Sequence, residues 1–175
     1  MEPWYTKVGR IILRSVLFRI AIFAVLGLFG YSQVSETEVD KTTRDSNGEV
    51  IESGAVGAQV LQFGDCLLFP DGGILGAVFT KLESVPCTDL HDGQIGGIHV
   101  LADGPYPGED YFENEFGQKA CWDDYDAFTG TQLEEPPHMV VPLFPTEEGW
   151  TEGDRDVHCL FVMADEGKLG ASIQG

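Results

Sequence analysis

Hydrophobic and polar positions divide the chain into three stretches. From Val8 to Tyr31 it reads VGRIILRSVLFRIAIFAVLGLFGY, and Ile20 to Gly30 is uncharged and apolar. A bilayer span needs about 20 apolar residues. This segment reaches that length if Arg14 or Arg19 extends its head to the lipid surface. The pattern therefore predicts a transmembrane helix within residues 1–31. Residues 32–56 are rich in Ser, Thr, Glu and Asp and show no sustained period. They predict a flexible, acidic linker. Periodicity resumes at residue 57 and continues to residue 175, which predicts one folded domain.

Within that domain, GAQVLQFGDCLLFP (residues 57–70) predicts two short strands about a Gly64-Asp65 turn. Asp71-Gly72-Gly73 is a turn, and residues 77–85 predict a strand ending before Pro86. QIGGIHVL (94–101) predicts a strand whose glycine pair marks a bulge or close packing. Helical spacing follows over residues 109–128. Phe112, Phe116 and Ala120, with Trp122 or Tyr125, form an apolar stripe, and Glu109, Asp110 and Glu113 sit in the first turns, where the helix dipole favours anions. Gly117 weakens this helix by about 1 kcal/mol, enough to allow a break there, and Gly130 is the stop.

Residues 139–144 predict an edge strand, because Pro142 cannot donate to a ladder. Residues 146–153 predict a turn or a single helical turn. VHCLFVMA (157–164) is apolar on both faces and predicts a central strand. Residues 168–173 predict a final short strand. The fold class is α+β: a small antiparallel sheet with one main helix packed on it and two disulfides, preceded by the transmembrane helix and the linker.

Composition supports a folded chain, with 43% hydrophobic and 11% aromatic residues in 175. Charge adds orientation. Residues 1–31 carry Lys7, Arg10, Arg14 and Arg19 against Glu2, a net of +3, so the rest carries −22 of the total of −19. The basic residues precede the apolar run, which keeps the N-terminus in the cytoplasm and sends the body across a single-pass membrane anchor. Gly30-Tyr31-Ser32 offers small residues for signal cleavage, which would make the body a secreted protein, but no A-x-A stands there. An uncleaved anchor is the favoured outcome. No cysteine follows the apolar run, which argues against a lipoprotein anchor. The acidic body repels phosphate backbones, so no nucleic acid partner is expected.

Cys66, Cys87, Cys121 and Cys159 all lie in the exported part. An even count behind an export signal predicts disulfides. Four cysteines allow three connectivities. The favoured one joins Cys66 to Cys87, closing a hairpin-sized loop, and Cys121 to Cys159, tying the helix to a late strand. The spacings contain no C-x-x-C pair, so no structural zinc site, and no other metal or cofactor, is expected.

The best candidate for chemistry is His91-Asp92, with Asp89 and Asp65 close in sequence. A histidine with carboxylates can serve as a general base or a metal ligand, which makes a metal-dependent hydrolase built on His91, Asp92 and Asp65 the alternative function. No nucleophile or third ligand is identifiable, and a loop cap with the imidazole bonded to backbone is the simpler expectation. His99 and His158 are expected to be packing or rim residues, and His138 exposed. Asp123, Asp124 and Asp126 do not meet the calcium-loop register, because Phe128 falls at the fifth position and glycine at the seventh. No P-loop, dinucleotide, G-x-S-x-G or H-E-x-x-H motif occurs.

Several motifs occur in a characteristic order: Gly64-Asp65-Cys66; Val85-Pro86-Cys87-Thr88-Asp89-Leu90-His91-Asp92-Gly93-Gln94-Ile95; Tyr106-Pro107-Gly108; a helical Cys121; Pro145-Thr146; and Trp150-x-x-Gly153-Asp154-Arg155-x-x-x-Cys159. Over residues 57–175 the chain resembles the septum formation domain of actinobacterial envelope proteins. The resemblance implies a membrane-anchored or secreted protein with a role at the division septum, and no established chemistry. Taken residue by residue, Gly64, Asp65, Trp150, Gly153, Asp154 and Arg155 are expected to determine the fold through turns, ring burial and a local charge-assisted bond. The expected function is a non-catalytic, membrane-anchored interaction or accessory module whose partner is an envelope or division protein. An inert structural or sensor domain is the other alternative.

Overall fold

The computed structural model describes residues 40–175 except 71, 72, 74–77 and 133. The expected transmembrane segment lies outside the described residues. Among those described, no helix is long and apolar enough to cross a membrane.

The sheet is built from short strands, of which the last, Asp156–Met163, is buried along most of its length. A two-stranded ribbon joins β1 (Thr43–Arg44) to β2 (Val50–Glu52). A six-stranded sheet follows: β3 (Gly54–Gly57), β4 (Cys66–Leu68), β5 (Lys81–Val85), β6 (Gly93–Val100), β7 (His138–Leu143) and β8 (Asp156–Met163). Its order is β3-β5-β4-β6-β8-β7, with every pairing antiparallel. The apolar β8 lies between β6 and β7, inside the sheet. β7 is the edge and contains Pro142, which has no N–H to offer a further strand.

A helical run occupies residues 109–129. Its first part, Tyr111–Cys121, is wound as a π-helix, and α1 (Trp122–Thr129) continues it to Gly130, whose φ of 65° ends the helix. The helix runs through Gly117 without a break. A Cβ there would lie 3.0 Å from the Phe112 carbonyl oxygen and 3.2 Å from Pro142 Cγ, so glycine lets the helix approach β7 closely. A short helix, α2 (Glu147–Glu152), starts at Thr146, whose Oγ1 accepts the Gly149 N–H at 3.1 Å.

Two apolar layers flank the sheet. One gathers Val56, Leu61, Leu67, Leu82, Ile95, Leu160 and Val162, with Met139, Val141 and Leu143 packed against it. The other lies under the helix, where Cys121, Tyr125, Phe128, Cys159 and Phe161 adjoin a cluster of Phe112, Trp150 and Val157. The glycine pair of β6 serves this second layer. The β6–β8 register shifts between Ile95 and Gly97, and a Cβ at Gly96 would overlap the Phe161 ring.

The expected linker over 32–56 does not hold from residue 40 onward. Asp45 Oδ1 accepts the N–H groups of Asn47 and Glu49 at 2.8 and 3.0 Å and closes the β1–β2 turn. Val50 and Val56 are buried, and Lys41 N–H bonds the Ala55 carbonyl at 2.9 Å. Polar composition hid these strands because their stability comes from tertiary anchors and not from alternation. Two further expectations shift. The strand foreseen from residue 57 is instead β3 followed by a 3-10 turn, Ala58–Val60, and the final strand over 168–173 reduces to a single bridge between His91 and Leu169.

Candidate functional site

The structure contains the disulfides Cys66–Cys87 and Cys121–Cys159, with Cα separations of 5.3 and 5.2 Å. The first ties β4 to the loop after β5. Here Gly64 adopts φ +91°, a conformation that suits glycine, and its N–H reaches the Ile95 carbonyl at 2.8 Å. The buried Asp65 accepts the Gln62 N–H at 2.9 Å and both amino groups of Arg44 at 2.6 and 3.0 Å. Gln94 completes the corner by donating to the Gly64 carbonyl at 3.1 Å.

The loop Asp89–Asp92 is held from several sides. His91 is fully buried, and its Nδ1–H donates to the Asp89 carbonyl at 2.8 Å, while Asp89 itself is exposed. Asp92 accepts the Phe69 N–H at 2.8 Å and the Lys168 ammonium at 2.6 Å. Asp65, His91 and Asp92 are thus committed to three different partners and form no common ligand group. The hydrolase constellation foreseen from their sequence proximity is not assembled. Neighbours along a loop point apart when each closes a different turn.

The Trp150 motif clamps the 101–108 segment. The indole N–H donates to the Gly104 carbonyl at 2.8 Å, and the Arg155 guanidinium stacks 4.0 Å from the ring centroid. Arg155 also donates to the Trp150 and Asp154 carbonyls at 2.6 and 2.7 Å. The bond from the guanidinium to the Asp154 carbonyl is the expected local charge-assisted bond, and the charged partner of Arg155 is the exposed Asp103 at 3.3 Å. Asp154 also accepts the Asp156 N–H at 3.1 Å and caps the turn into β8. Gly153 ends α2 at φ 102°.

A third cluster was missed by sequence spacing. Cys121 and Asp124 are three apart on the helix and so share its inner face. Gly97 and His99 alternate onto one face of β6, and Gly97 pairs with Cys159 on β8. His99 Nε2 meets Asp124 Oδ2 at 2.6 Å, and these atoms and Cys159 Sγ all lie within 4.8 Å of one another. The His99 ring also meets Phe116 edge to face at 5.1 Å. Gly97 makes room for this cluster, since a Cβ there would overlap the Asp124 carboxylate. The signal available in the sequence was the C-x-x-D step on the helix together with G-x-H on the strand.

The other two histidines are also placed. His138, expected to be exposed, is half-buried and shares a hydrogen bond with the Tyr125 hydroxyl at 2.8 Å. Burial lowers its pKa from the ordinary histidine value and raises that of the Tyr125 phenol. His158 is buried, and desolvation lowers its pKa although Asp156, Asp154 and Asp65 pull the other way.

The sequence pattern of the septum formation family matches residues 33–159. The chain belongs to the septum formation family. The match begins ahead of the expected domain start at 57 and takes in β1, β2 and β3, in agreement with their place in the fold. It also spans all four cysteines, so both disulfides of this septum formation domain fall within it. No curated protein and no solved structure matches the chain. Family membership connects the protein with cell division and the envelope.

Proposed function

We propose that this septum formation protein is a membrane-anchored, extracytoplasmic module that works by contact with an envelope or division protein and not by catalysis. The family match over residues 33–159 carries this reading. The basic-then-apolar order of residues 1–31 supports an anchor with the N-terminus inside. Two disulfides support an oxidising compartment for the body. Asp65, His91 and Asp92 each hold a different structural partner, which supports fold roles for them over a shared hydrolase centre.

Two measurements test it. A fusion to a fluorescent protein that matures after export should concentrate at midcell in dividing cells; even distribution around the periphery would sink the septal role. Protease added to intact spheroplasts should digest the body and spare the N-terminal tip. A fully protected body would overturn the topology.

A further inference from the structure

A cleft of about 200 Å³ opens between the Gly64 corner and α1, lined by Phe63, Gly96, Asp124, Phe128 and Gly175 among others. Sites for drug-sized ligands enclose about 300 to 1,000 Å³. This one has room for a single side chain. Its walls are set in advance. Phe63 is 55% exposed, yet its ring meets Phe128 edge to face at 5.2 Å. On either side of it, Gln62 N–H bonds Asp65 at 2.9 Å and Gly64 N–H bonds the Ile95 carbonyl at 2.8 Å. The Gly175 N–H donates to the Phe128 carbonyl at 2.9 Å and fixes another part of the rim. Walls ordered beforehand lower the entropy lost on docking. Asp124 brings the charge. Its Oδ2 meets His99 Nε2 at 2.6 Å, and among the described residues Oδ1 has no hydrogen-bond partner. A bare ring beside a carboxylate attracts a cation, through the ring quadrupole and a charge-assisted bond. The protein uses the same chemistry internally, where the Arg155 guanidinium stacks 4.0 Å from the Trp150 centroid and meets Asp103 at 3.3 Å.

We propose, resting on the reading of the protein as a contact module, that this cleft takes one arginine side chain of a basic partner protein. The guanidinium lies on the exposed face of Phe63 and donates one N–H to Asp124. Residues 32–175 carry a net charge of −22. That field repels a second copy, nucleic acid and anionic lipid, and draws in a basic protein. Arginine is preferred to lysine, because its planar, weakly hydrated head stacks on a ring whereas the ammonium holds its water. Oδ2 of Asp124 is committed to His99, so the carboxylate offers one prong and not two. Phe63 therefore carries a large share of the recognition. Phe63 sits in a turn and Asp124 on a helix far along the chain, so no sequence spacing announces the cleft.

The test is a magnetic-resonance titration of the isotope-labelled full chain in non-ionic detergent. The probe is acetyl-Gly-Arg-Gly-amide, run beside the same peptide with Lys or Glu in place of Arg. The arginine probe should give saturable shifts at the Gly96, Ala127 and Phe128 amides, the lysine probe weaker ones and the glutamate probe none. F63A should weaken arginine binding about fivefold and D124N about tenfold. F63W should strengthen it, since Trp offers the better face, and a folding defect cannot imitate that gain. D123N removes the same charge one residue away, outside the cleft, and should leave binding unchanged. Equal losses in D123N and D124N would reduce the effect to general attraction and overturn the cleft. So would equal binding of the glutamate probe, wild-type affinity in F63A, or no saturable shift in the wild type. Shifts at the same amides on concentrating the protein alone would assign the cleft to a second copy and overturn the basic partner. In cells, an F63A/D124N fusion still concentrated at midcell beside the wild type would leave the contact module standing and remove the cleft as its point of contact.

Discussion

Arg44 and Asp65 form a two-pronged ion pair across 21 positions of chain, with Nη1 on Oδ1 at 2.6 Å and Nη2 on Oδ2 at 3.0 Å. Side-chain exposures of 13% and 3% place it out of most solvent. Removing one partner of such a pair leaves a buried charge without compensation. R44A should therefore cost about 3 kcal/mol of unfolding free energy, read from urea midpoints. R44K, which keeps the charge and loses the fork, should fall between R44A and wild type. Wild-type stability in R44A would mean that the ribbon does not support the Asp65 turn.

The same pair sets the domain boundary. A chain beginning at residue 57 loses Arg44, Val50 and Val56, of which the two valines are buried. It should melt well below a chain beginning at residue 37. Thermal unfolding of the two fragments decides this, and equal melting temperatures would return residues 40–56 to linker status.

Gly96 is fitted against Phe161, a fully buried ring that meets Tyr125 at 5.2 Å and Phe128 at 5.7 Å. G96A forces that ring out of its slot. Overpacking of this kind typically costs about 1 to 3 kcal/mol. G104A is the control, because a Cβ at Gly104 meets nothing within 4 Å. Calorimetry should show the first substitution destabilising and the second near neutral.

Replacing both cysteines of a pair by alanine removes a loop constraint from the unfolded chain. For sequence separations of 21 and 38 residues the loss is about 3 and about 4 kcal/mol on loop entropy alone. C121A/C159A should therefore be the more damaging of the two double variants in denaturant titrations. The reverse order would locate the principal anchor at the Gly64 corner.

His138 and His158 both have pKa values lowered by burial from 6.5. The unfolded chain binds protons at these sites more readily than the native one. Stability is therefore full above about pH 6.5 and falls as pH drops below the unfolded pKa, levelling out below the folded one. Unfolding midpoints should decline from pH 7.5 to pH 5.5. H158Q should flatten that decline even if it lowers overall stability. An unchanged slope would mean that His158 gains its proton in the native state without penalty.

The helix from Glu109 and the apolar run of β8 were legible because each buries side chains at its own period. Phe112, Cys121, Tyr125 and Phe128 recur at helical spacing, and residues 157–162 of β8 are buried without interruption. Pro142 marked its strand as an edge for a local reason. The ribbon at 43–52 was not legible, since its anchor Asp65 lies a turn and two strands away. Nor was the His99–Asp124 contact, whose members are 25 positions apart and meet only after the helix has crossed the sheet. For the opposite reason, His91, Asp92 and Asp65 promised more than they form. Sequence proximity suggested convergence, and the turns that bury them send each side chain to a different neighbour.

Both rims of the six-stranded sheet are blunted. Pro142 withholds an N–H on β7, and Asp40 and Lys41 already lie along β3. Both devices discourage edge-to-edge pairing with another chain. Binding of a companion through side chains is favoured over strand addition, and its affinity should then respond to single surface substitutions and resist peptides that mimic only an extended backbone.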